Sequence, residues 1–148
     1  MTVTIPSNHR RSLSVSSYML EESMDELERL LRSQEPNRVT RQIVPVYSDV
    51  ERRVLLETIA QVRSANTEMF SSLDLQPTVT TEDQMVRGKL AHVWVVLQDS
   101  LSHSMHGYGT LPPQAAERID RQVQPILEIV NHLIALAGQT NREQKGTH

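Results

Sequence analysis

Histidines and carboxylates at helical spacing are the first residues of this chain that could do chemistry. His92, Asp99, His103 and His106 follow one another at intervals of seven, four and three. On a continuous helix that spacing gathers all four on one side. Imidazole and carboxylate on one helical face are the donors from which metal sites in helical bundles are built. Glu128 and His132, four apart in a later segment, could complete such a site. Neither pair has the Glu-x-x-His spacing of di-iron bundles, and the row lies opposite the apolar stripe of its own segment. The preferred reading is therefore a solvated or interface row, with no dedicated metal and no cofactor. A metal-binding bundle stays open as an alternative function.

Arg87 and His92 form a second constellation, in the run RGKLAH. Arginine, four residues, histidine resembles the motif of the HEPN superfamily of helical nucleotide-binding and ribonuclease proteins. The resemblance covers these six residues. It implies that Arg87 and His92 act together on RNA phosphate at a dimer seam. Members of that superfamily usually carry a polar residue after the arginine and often a tyrosine two after the histidine; here Gly88 and Trp94 occupy those positions. Other chemistries find less. The loop HGYGTLPP lacks the lysine–serine ending and preceding strand of a phosphate-binding loop. No G-x-S-x-G elbow exists. The absence of cysteine excludes disulfides, thiolate metal sites and cysteine nucleophiles.

Whatever these residues do, helices must position them. The 148 residues include one Trp, one Phe and three Tyr, so the core must come from Leu, Ile, Val, Met and Ala, which suits packed helices. Five glycines and seven prolines are too few turn residues for an all-β chain. The net charge of −3 argues against general nucleic-acid binding and against an anionic membrane surface as partner. No apolar run approaches the length of a membrane span, and the first residues lack the apolar stretch of a secretory signal. A cytoplasmic location is the expectation.

The apolar periodicity predicts an all-α fold: an antiparallel four-helix bundle with a long first connection and flexible termini. The expected organisation is a flexible tail over 1–15, a single helical-bundle domain over 16–138 and a flexible tail over 139–148. The first helix, expected over 17–32, carries the stripe Leu20, Met24, Leu27 and Leu31. Residues 33–47, with Pro36 and Pro45, are longer than a usual helix–helix loop. The first helix is therefore expected to pack away from the second, or on another subunit. Ser48 with Glu51 and Thr81 with Gln84 are capping-box pairs that open the second and third helices. The third is expected to run to Gly107 and Gly109. The fourth begins near Pro112 and Pro113, ends at Gly138, and takes a kink from Pro125. Ile119, Val123, Ile126, Val130, Leu133 and Ile134 are read as its core stripe.

The third helix is apolar nearly all round in the run LAHVWVVL. Opposite its main stripe stand Ala91, His92, Val95, Val96 and Asp99. A helix of this kind is covered on two sides, either as the centre of a monomer or at a subunit seam. The expected function is accordingly a self-associating structural or protein-interaction module, a homodimer or larger, with a further protein partner possible. The alternatives are the Arg87–His92 ribonuclease and the metal-binding bundle.

Overall fold

The computed structural model describes residues 4–146, apart from the side chains of His106 and of residues 140–146. Four helices account for it: α1 (Ser7–Leu31), α2 (Asp49–Ser72), α3 (Glu82–Asp99) and α4 (Pro113–Gly146). No strand occurs among the described residues, and Arg38 and Arg41 form an isolated bridge. The fold is all-α, with the antiparallel helix pairing of a bundle: α1 packs on α2 and α3 packs on α4. The chain divides into two compact units, Met1–Val79 and Thr80–His148.

In the first unit α1 starts ten residues earlier than the leucine stripe implied, so residues 7–15 are helix rather than tail. The buried face continues toward the N-terminus on serine instead of leucine: Ser14 and Ser17 are buried, in register with half-buried Leu20 and Met24 and with buried Leu31. Small hydroxylated residues let two helices approach closely, provided the hydroxyls are satisfied. Ser17 Oγ donates to Asn66 Oδ1 at 2.8 Å, and Asn66 Nδ2 donates back to the Ser17 carbonyl at 3.1 Å. Further along, Arg63 of α2 forks onto Asp25 and Glu28 of α1, both at 2.6 Å. The guanidinium's bond to Asp25 is the main reason its pKa is raised.

Those contacts correct the expectation that α1 travels away from α2. The connection curls instead of stretching. Asn37 Oδ1 accepts from the Ile43 N–H at 3.0 Å, and Arg52 reaches back to the Leu31 carbonyl at 2.6 Å. Both helices of this unit end in Schellman turns. After α1, the N–H of Gln34 bonds the Arg29 carbonyl and that of Ser33 bonds Leu30; after α2, Leu75 bonds Phe70 and Asp74 bonds Ser71. The left-handed residue of each turn is not glycine but Ser33 (φ 58°) and Asp74 (φ 51°).

In the second unit Thr81 and Gln84 form the expected capping box, as Ser48 and Glu51 do for α2. α3 then ends at Asp99, eight residues short of Gly107. The Ser100 hydroxyl donates to the Val96 carbonyl at 2.8 Å. Leu101 is buried, 4% exposed, and a 3₁₀ turn over Ser102–Ser104 follows that packs on α4. α4 begins at Pro113 as expected, continues through Pro125, and passes Gly138 as far as Gly146. Residues 139–146, expected as tail, are thus helical. Leu127 and Val130 are its buried residues, whereas Ile126 and Leu133, read from the sequence as core, are exposed.

Candidate association surface

α3 is held at its start by polar groups and packs on α4 along one side. The Thr81 hydroxyl accepts the Gln84 N–H at 3.4 Å, and the Gln84 side chain accepts the Thr81 N–H at 3.2 Å. A hydrogen bond from Thr81, and then the nearby Arg87 charge, lower the pKa of Asp83. Beyond this first turn come the apolar residues, yet no residue of α3 is buried. Leu90 and Leu97, the residues facing α4, are half-buried. Val86, Val93 and Trp94 of the same helix are exposed.

Every residue expected at a subunit seam is on the surface. Ala91, His92, Val95, Val96 and Asp99 are all exposed, with Val95 at 48% and Val96 at 49%. On α4, Ile126, Ile129 and Leu133 are exposed as well; the sequence reading assigns Ile126 and Leu133 to the core stripe and does not single out Ile129. Their three-and-four spacing was visible. Leu127, 5% exposed, takes the core position that the periodicity assigns to Ile126.

The other candidates are not gathered in this way. Arg87 is turned one helical turn back onto Asp83, at 3.2 Å, while His92 stands exposed five residues on. The histidine row is broken by the end of α3: His92 and Asp99 are on the helix, His103 lies in the following turn, and the His106 side chain is outside the described residues. Glu128 and His132 are exposed on α4. Among the described residues, no three His, Asp or Glu side chains converge as metal ligands.

His103 instead neighbours a structural carboxylate. Asp120 Oδ2 accepts the Ser102 hydroxyl at 2.6 Å and Oδ1 accepts the Ser102 N–H at 2.8 Å. These two bonds, the hydroxyl's first, lower the Asp120 pKa, and the His103 charge adds to them. The clefts of the first unit are open. One of about 430 Å³ is lined by Leu31, Ile43, Tyr47 and Arg52, whose guanidinium is already committed to the Leu31 carbonyl. Another, of about 570 Å³, is lined by residues that include Arg10, Arg11 and Asp74.

No family model, no curated protein and no solved structure matches the chain. No helix among the described residues is long and apolar enough to cross a membrane.

Proposed function

We propose that this chain is a protein-interaction module that associates with itself, as a dimer or a larger homo-oligomer, through α3. One observation carries the reading: an eighteen-residue helix containing LAHVWVVL has no buried residue. Soluble surfaces rarely leave contiguous apolar patches of this kind uncovered unless something docks there. Self-association is the favoured mode because a helix exposed on two flanks resembles one side of a core cut in half. The Arg87–Asp83 bridge gives the arginine a local structural role, which weakens the ribonuclease reading, and the broken histidine row weakens the metal-binding one.

The test is the mass of the full chain by light scattering across concentration, beside the double variant Val95→Glu/Val96→Glu. The expected outcome is an assembly for the parent chain and dissociation of the variant with unchanged helical circular dichroism. A parent chain that stays monomeric at high micromolar concentration would refute self-association.

A further inference from the structure

The exposed apolar strip of α3 has a counterpart on α4. Val86, Val93 and Val96 fall at heptad positions with Lys89 between them, and Ile126, Ile129 and Leu133 repeat at three and four. At about 100° per residue, each strip sits roughly a quarter turn from the residues that meet the other helix. Those inward residues are Leu90 and Leu97 on α3, and Leu127 and Val130 on α4. The displacement has the same rotational sense on both helices, and the helices run in opposite directions. The two strips therefore lie side by side on one face of the α3–α4 hairpin.

We infer that this face is covered by the same face of a second copy, closing four helices around a two-fold axis. This rests on the self-association reading above and specifies its surface: the flank shared by α3 and α4, rather than the side of α3 that carries Ala91, Val95 and Asp99. The six apolar residues are 41% to 63% exposed. They offer about 500 Å² per copy, so a pair covers about 1,000 Å², the area at which a specific interface becomes plausible. The aliphatic stem of Lys89 adds to that.

The pattern also matches the occupant. Two parallel strips at heptad spacing are self-complementary under a two-fold rotation, because each strip meets another strip of the same periodicity. Lys89 fits as well. A single lysine in a heptad seam fixes register and subunit number at some cost in affinity, its stem lying along the valines and its ammonium at the rim.

The absence of cysteine makes a direct test available. Ile129→Cys and Val95→Cys each place one thiol in the full chain, and their reaction with a maleimide is followed across the concentration range used for light scattering. The I129C thiol should react at least about tenfold more slowly in the assembled state than in the dilute one, while the V95C thiol stays reactive. Lys89→Leu should tighten association, and Ile129→Glu should weaken it by at least about tenfold with helicity retained. Assembly in which V95C is protected and I129C reactive would overturn this face and leave self-association standing. A monomer with a freely reactive I129C thiol would overturn both. A monomer in which that thiol is protected at every concentration would mean the face is closed within its own chain, and the inference would fail.

Discussion

Ser33 shows how single residues carry cost in this chain. Its φ of 58° lies in the left-handed region, where an L side chain is disfavoured by roughly 1–2 kcal/mol and glycine is not. The Schellman bonds of Ser33 and Gln34 hold it there. Ser33→Gly should therefore raise stability by about 1 kcal/mol, less the added freedom of the unfolded glycine. Denaturant melting would check it: the midpoint should rise with the slope unchanged, and a lower midpoint would show that the serine side chain supplies more than the backbone loses.

At the scale of elements, the turn after α3 depends on one carboxylate. The Asp120 pKa is depressed in the folded chain by the Ser102 hydroxyl and N–H. A depressed folded pKa contributes stability above the unfolded value, ~3.9 for an aspartate, and that contribution disappears as pH falls through the lower folded value. The 102–104 turn should thus keep its amide protection above about pH 5 and lose it progressively below about pH 4. Hydrogen exchange at Ser102 reads this directly. Asp120→Asn should remove the pH dependence and leave the turn weakly protected throughout.

What was legible in the sequence divides along the same physical line. The starts of α2 and α3 were readable because a capping box is a contact between residues three apart, Ser48 with Glu51 and Thr81 with Gln84. The start of α1 was hidden because its buried register runs on Ser14 and Ser17, which apolar periodicity cannot detect. The end of α3 depends on Asp120, eighteen residues beyond Ser102. The apolar excess of α3 was visible, but the exposed strip on α4 was not, because apolar periodicity does not tell that Leu127 and not Ile126 is the buried residue.

For the whole molecule, the burial pattern and the proposed self-association together tie melting to concentration. The buried apolar residues of the described chain are Leu31, Ile59, Leu75, Leu101, Leu127 and Val130, a sparse core for the described residues. If copies assemble, association adds to folding free energy by mass action. The Tm of the parent chain should climb by several degrees over a hundredfold rise in concentration, whereas that of Val95→Glu/Val96→Glu should stay flat. Coincident curves for the two proteins would detach stability from assembly.

The serine-lined half of α1 has a thermodynamic consequence of its own. Separating hydrocarbon from hydrocarbon exposes surface that raises heat capacity, whereas exposing polar surface lowers it. Where α1 meets α2 through Ser14, Ser17 and Asn66, opening exposes mainly hydroxyl, amide and peptide groups. Where it meets α2 through Leu20, Met24 and Leu31, opening exposes hydrocarbon. The first half of α1 should therefore peel away with little change in heat capacity and with a free energy that varies nearly linearly with temperature. The second half should open with the curved temperature dependence of a hydrophobic contact. One continuous helix of 25 residues is in this sense two thermal materials joined end to end, with the seam between them near Leu20.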